Sequence, residues 1–160
     1  MSEVILRQFK SDDAAWLIER HGTLYARDEG FDHTFGPLVA EILDNYIRDH
    51  DPGCERGWIA QQDGQRLGSI FCVRAADDTA KLRLFLLTPE ARGKGLGRRM
   101  LTTCMDYARA QGYRRMHLWT HESHRAACAL YAAHGWQLVS STQVHSFGVD
   151  LIEQAWEIEL

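Results

Sequence analysis

Six consecutive residues, Arg92-Gly93-Lys94-Gly95-Leu96-Gly97, combine close backbone approach with positive charge. Glycine enters left-handed conformations without a Cβ penalty. A helix that begins at Leu96 leaves the N–H groups of its first turn unpaired, aimed at whatever lies in front of them. Arg92, Lys94 and Arg98 concentrate charge at the same place. Such a turn grips a phosphorylated ligand. Further along, Tyr131 supplies a phenol that is neutral at pH 7 and can donate a proton. Carboxylates and imidazoles that could accept one fall at Glu29, Asp32 and His33, at Glu122, and at His117, His121 and His124.

The glycine turn matches neither common nucleotide loop. A Walker A loop needs GxxxxGK[ST], which the residues from Gly93 to Met100 do not supply. The dinucleotide fingerprint GxGxxG fails because Arg98 or Met100 stands at its third glycine position. His121-Glu122-Ser123-His124 is not HExxH and has the wrong spacing for two ligands on one helix face, so no metal is expected.

Elements able to position these groups follow from the apolar pattern. Val4 to Phe9 alternates as a first strand, and Ser11 caps a short helix with Ala14, Leu17 and Ile18 on one side and Gly22 at its end. Residues 23–34, with Tyr25, Glu29, Phe31, Asp32 and His33, read as a chemically varied loop. Gly36-Pro37 opens a second helix with Phe35, Val39, Ile42, Leu43 and Tyr46 on its stripe. Trp58-Ile59-Ala60 and the run from Ser69 to Val73 form strands joined through the Asp63-Gly64 hairpin signal, and Lys81 to Leu87 adds a third antiparallel strand. The helix after the glycine turn buries Leu96, Met100, Leu101, Cys104 and Ala108. Met116 to Thr120 is a strand, Ser123 caps a helix carrying Tyr131, and Trp136 to Val139 and Trp156 to Leu160 are the last strands. The order β-α-α-β-β-β-α-β-α-β-β predicts a mixed α/β sheet in one domain spanning residues 1–160.

The totals agree with that reading. A chain of 160 residues with 45% apolar and 25% charged residues suits a single globular domain with a real core. A net charge of −4 argues against general nucleic-acid binding and confines any anion site to a local patch. No apolar run approaches membrane-spanning length and the N-terminus lacks the apolar core of a signal peptide, so a cytoplasmic protein without a membrane partner is expected. Cys54, Cys72, Cys104 and Cys128 show no CxxC spacing and read as reduced thiols.

The spacing Arg92-x-x-Gly95-x-Gly97 resembles the acetyl-CoA pyrophosphate loop of the GNAT N-acetyltransferase superfamily, [QR]xxGx[GA]. The resemblance continues in Leu87-Thr88-Pro89-Glu90-Ala91 before the loop, in Ala127-x-x-Leu130-Tyr131 followed by Gly135-Trp136, and in the element order. Phe31-Asp32-His33-Thr34-Phe35, Leu118-Trp119-Thr120 and His145-Ser146-Phe147-Gly148 also resemble the GNAT domain that some bacterial proteins carry after a MarR-type DNA-binding domain, which is not expected here. The resemblance implies an α/β fold of the α+β mixed kind, a mostly antiparallel sheet flanked by about four helices. It implies an N-acetyltransferase that uses acetyl-CoA as co-substrate and a small-molecule or peptide amine as acceptor, with room for a homodimer.

Carried over by position, Phe85, Leu86 and Leu87 would pair with the pantetheine arm, and Arg92, Gly93, Lys94, Gly95, Leu96, Gly97 and Arg98 would hold the pyrophosphate. Tyr131 would protonate the departing thiolate. The acceptor ammonium must lose a proton before it attacks, and Glu29 is the preferred base among Glu29, Asp32, His33 and Glu122. Many relatives have asparagine seven residues before the tyrosine. His124 stands there instead, as a candidate contact to the cofactor. Tyr25, Phe31, Phe35 and Trp119 suggest a partly apolar acceptor pocket. A non-catalytic acyl-CoA sensor is the alternative function.

Overall fold

The computed structural model describes residues 2–160. In chain order, β1 (Ile5–Gln8) leads into α1 (Ala14–Glu29) and α2 (Phe35–Asp49). The meander β2 (Arg56–Gln62), β3 (Gln65–Ala76) and β4 (Thr79–Leu87) follows, then α3 (Leu96–Ala110), β5 (Arg115–His121), α4 (Arg125–Ala133), β6 (Gln137–Ser146) and β7 (Val149–Glu159). The strands form one seven-stranded sheet in the order β1-β2-β3-β4-β5-β7-β6, antiparallel except for the β4–β5 pair. No helix among the described residues is long and apolar enough to cross a membrane.

Strand side chains alternate between faces, and here both faces are buried. Trp58, Ala60, Ile70 and Cys72 join Met100, Leu101, Cys104 and Ala108 of α3 and Tyr131 of α4 in one core. Their neighbours Ile59 and Phe71 pack into a second core with Leu17 and Leu24 of α1 and Val39 and Leu43 of α2. The sheet is therefore sandwiched between α1/α2 and α3/α4. Asp13, 1% exposed, pins the start of α1 by accepting bonds from Arg7 of β1, Arg66 of β3 and the Lys10 N–H. Burial works to raise its carboxyl pKa, but these donors outweigh it and hold the group at about 2.

Three expectations are corrected. First, Gly22 does not end α1. Its backbone is ordinary helix, and the stop is Gly30 in the left-handed region at φ 74°. Most of the expected loop 23–34 is thus about two further turns of helix, and the true connection is residues 30–34. Second, β6 and β7 form one long hairpin turning at Phe147-Gly148. Its extent was hidden because β6 is an edge strand exposed along residues 137–143, so its side chains lack the apolar alternation of a half-buried strand. Third, the expected caps are displaced: Asp13, not Ser11, occupies the N-cap position of α1, and His124, not Ser123, that of α4.

Candidate active site

Two structures meet at this site: an opened seam in the sheet and a cluster of side chains above it. The parallel pairing of β4 with β5 covers only Thr79–Lys81 against Arg115–His117. Beyond it the strands part, and Phe85, Leu86 and Leu87 run on with no β5 partner. A bulge accompanies the divergence. Between the pairs Phe71–Arg83 and Ser69–Leu86 the β4 side holds one extra residue, and Leu84 takes φ 50°. Bulges bend a strand and re-aim its ends. The Ser69 hydroxyl donates to the Leu84 carbonyl at 2.6 Å and fixes this one.

The glycine turn follows directly. Gly93 (φ 77°) and Gly95 (φ 79°) occupy the left-handed region, which a side chain would strain. The Arg99 N–H bonds the Gly95 carbonyl at 3.2 Å, so the first-turn N–H groups of Leu96, Gly97 and Arg98 lie ahead of the helical ladder. Gly97 has a different task. A Cβ there would sit 3.2 Å from Leu87 Cδ1 and 3.6 Å from Leu130 Cδ2, so its absence lets α3 close on β4 and α4. Arg92 turns back to donate to the Leu87 carbonyl at 3.3 Å and reaches Asp28 of α1 at 3.4 Å.

On the other side, His21, Tyr25 and Glu29 recur every four residues and form one ridge of α1. His21 is fully enclosed, with Nδ1 2.8 Å from the Leu17 carbonyl, and burial drives its pKa down to about 4. Tyr25 stacks on Phe35 at 4.7 Å and meets the edges of His124 at 5.0 Å and Phe31 at 5.5 Å. Its phenol is pushed up to about 12 by burial and by Glu29, with Arg92 opposing. Glu29 Oε1 lies 3.4 Å from His124 Nε2, and both side chains are largely enclosed. The two atoms are near but not aligned as a hydrogen bond, since His124 Nε2 is buried without a partner. His124 Nδ1 is 3.1 Å from Thr120 Oγ1, and the His121 ring lies 5.5 Å from the His124 ring. Burial lowers the His124 pKa, Glu29 raises it and His121 lowers it again; the net shift is downward.

The hairpin tip closes over this cluster. Phe147 packs on Phe31 at 4.8 Å and Phe35 at 5.0 Å, and its carbonyl accepts the Asp32 N–H at 2.8 Å. Tyr131 comes from the other core. It is 3% exposed, set among Phe85, Trp136 and Trp156. Burial raises its phenol pKa well above the ordinary value, with Tyr25 adding to the rise.

The expected site residues are therefore brought together unequally. Phe85 to Leu87 and Arg92 to Arg98 border the seam, Tyr131 lies beside Phe85, and Glu29 and His124 meet each other beside Tyr25. Glu29 does so from the last turn of a helix, not from a loop. Asp32 and His33 are exposed beside the hairpin tip, and Glu122 is exposed after β5. Trp119 does not join the aromatic group. It is 59% exposed, with Lys81 Nζ 4.1 Å from its ring centroid. Thr120 and Phe147 carry no expected role, although they lie in Leu118-Trp119-Thr120 and His145-Ser146-Phe147-Gly148. All four cysteines are free, and among the described residues no cluster of three or more His, Cys, Asp or Glu could hold a metal.

A seam of this form beside a glycine turn is the arrangement of an acetyltransferase fold. A sequence model described as the acetyltransferase (GNAT) family matches residues 12–136, and the chain belongs to that family. N-acetyltransferase 8 of Rattus norvegicus is 30% identical over 104 residues, covering 62% of this chain and 46% of that protein. N-acetyltransferase family 8 member 3 of the same species is 33% identical over 104 residues, covering 62% and 44%. The chain thus spans less than half the length of these curated relatives. Among solved structures, ribosomal-protein-alanine N-acetyltransferase from Brucella melitensis superposes with a TM-score of 0.77 at 18% identity, over 98% of this chain and 99% of that one. The structure of yncA from Salmonella typhimurium with its cofactor acetyl-CoA gives 0.75 at 19% identity, over 99% and 95%. These likenesses establish the fold.

Proposed function

We propose that this chain moves an acetyl group from acetyl-CoA to a primary amine by direct attack within a ternary complex. The observation that carries the reading is the continuity of the seam with the glycine turn. The β5-facing edge of Phe85 to Leu87, whose other edge pairs with β3, leads straight to backbone donors of residues 93–98. Backbone donors suit a diphosphate because they spread over its charge without selecting a base. A polyamide arm suits the strand edge, since it can add as a strand would.

The reaction needs a proton acceptor for the incoming ammonium and a donor for the departing sulfur. Tyr131 is the proposed donor. A phenol whose pKa is raised by burial stays neutral, and a neutral phenol can hydrogen-bond to a thiolate or protonate it. Glu29 and His124 form the proposed polar group on the amine side, beside Tyr25.

Free-thiol release from acetyl-CoA, followed across a panel of primary amines, tests the proposal. Amine-dependent release supports it. Tight acetyl-CoA binding with no release for any amine would replace it with the sensor reading. Tyr131→Phe is expected to lower kcat at least tenfold with acetyl-CoA affinity retained, and unchanged turnover would remove the acid role.

A further inference from the structure

We propose that Glu29 Oε1 and His124 Nε2 form a two-acceptor cradle for the acceptor's ammonium group, and that His124 Nε2 is the base that removes its proton. This rests on the acetyl-transfer reading and reassigns His124 from cofactor contact to catalytic residue. The two atoms lie 3.4 Å apart, buried, with no aligned hydrogen bond between them. Two acceptors that converge without a proton between them call for a donor with several N–H groups, which an ammonium supplies. The Thr120 hydroxyl, 3.1 Å from Nδ1, can accept an Nδ1–H, the tautomer that the proposal requires because it leaves the Nε2 lone pair free. His121 Nδ1 is also buried without a partner, and its ring lies 5.5 Å from the His124 ring. The edge-on Tyr25 ring and the Phe31–Phe35 pair wall the same space with aromatic surface, which a cation tolerates.

Protons balance through the step. The bound ammonium passes one proton to His124 Nε2, giving an imidazolium beside the Glu29 carboxylate. The freed lone pair attacks the thioester carbonyl, the C–N bond forms and the C–S bond breaks. Tyr131 donates a proton to the sulfur as the C–S bond breaks, and the second proton that the nitrogen loses as the amide forms restores the Tyr131 phenol. Imidazolium then releases its proton to solvent, so ammonium and acetyl-CoA yield amide, CoA thiol and one proton. The groups facing His124 are Glu29 and Tyr25 from α1 and Thr120 and His121 from β5; Glu153 of β7 stands behind His121. Burial keeps the imidazole neutral below its ordinary 6.5, ready to accept. Activity should fall on acidification, at a pH below the ordinary imidazole range, as the ring becomes protonated.

Two measurements test the cradle. Nitrogen NMR of the histidine rings in the full chain, with the His124 signals identified by their loss in His124→Asn, should show neutral imidazole with the proton on Nδ1 at pH 7. A proton on Nε2 or a charged ring at that pH overturns the proposal, whatever the acceptor. With acetyl-CoA and n-butylamine, benzylamine or tyramine as probes, His124→Asn keeps a group able to bond Thr120 but removes the base. It should lose roughly 10²-fold in kcat/KM and flatten the acid limb of the pH profile, with acetyl-CoA affinity unchanged. Glu29→Gln should raise KM for the amine and lower the His124 pKa. Full turnover in His124→Asn overturns the base assignment. Thiol release from none of the amines by the unsubstituted protein counts against amine acetylation itself, while the tautomer still decides the cradle.

Discussion

The two sides of the seam are built on different physics. The proposed cofactor side is made of backbone: a bulged strand end, two left-handed glycines and a helix start, with Arg92, Gly93, Lys94, Gly95 and Arg98 exposed to solvent. The proposed amine side is made of side chains drawn from α1, α2, the cap of α4, β5 and the β6–β7 turn, largely enclosed and rich in rings. A backbone site depends on a few conformations that only certain residues permit. A side-chain site depends on packing among distant segments, and so should fail through stability and acceptor affinity before it fails through cofactor binding.

The largest expected effect lies in the aromatic wall. Phe31, 3% exposed, touches Tyr25, Phe35 and Phe147, and Phe31→Ala should cost about 3 kcal/mol of folding stability in a urea titration. Undiminished stability would mean that the wall is not part of the core. Acid should single out the same side. Burial holds the His21 pKa down to about 4, so between about 6.5 and 4 the unfolded chain binds that proton more readily than the folded one. The contribution of His21 is full above pH 6.5 and is lost as pH falls toward 4, on the order of 3 kcal/mol. His21→Gln should shallow the pH dependence of the urea midpoint in that window, and an unchanged slope would clear His21.

On the cofactor side, Gly95→Val forces a β-branched residue to φ 79°. Acetyl-CoA affinity measured by calorimetry should weaken at least tenfold, about 1.4 kcal/mol, while the amine side stays folded. Equal affinity would detach the turn from the ligand. Ser69→Ala should cost about 1 kcal/mol by releasing the Leu84 carbonyl, and it should loosen the bulge enough to weaken acetyl-CoA binding. A loss of stability without any loss of affinity would separate the bulge from the seam. The smallest effect has the opposite sign. Gly22 sits in regular helix, and a Cβ there meets nothing within 4 Å, so Gly22→Ala should raise stability by roughly 0.5–1 kcal/mol in thermal melts. A lower melting temperature would contradict α1 as described.

Gly22 also shows why the two sides were unequally legible. A glycine after a short apolar stripe reads as a helix stop, because in a sequence nothing separates a left-handed glycine from a helical one. Reading it that way hid the ridge of His21, Tyr25 and Glu29, since side chains four residues apart share a face only if the helix continues. The same limit applied to Trp119. Its type suggested a pocket, but strand register turned it to the outer face under Lys81. Glu29 and His124 were both visible as candidates, yet they come from segments 95 residues apart, and no local pattern relates them.

Sequence alone determined what is local: the glycine turn, the helix it opens, the element order and the family to which these belong. Each is written in residue types because each depends on the conformations that single residues allow. Tertiary structure decided the rest: how far the seam opens, which carboxylate meets which imidazole, and which rings are enclosed. Those depend on packing between segments remote in the chain, and the energy that fixes them arises only when the helical layers close on both faces of the sheet.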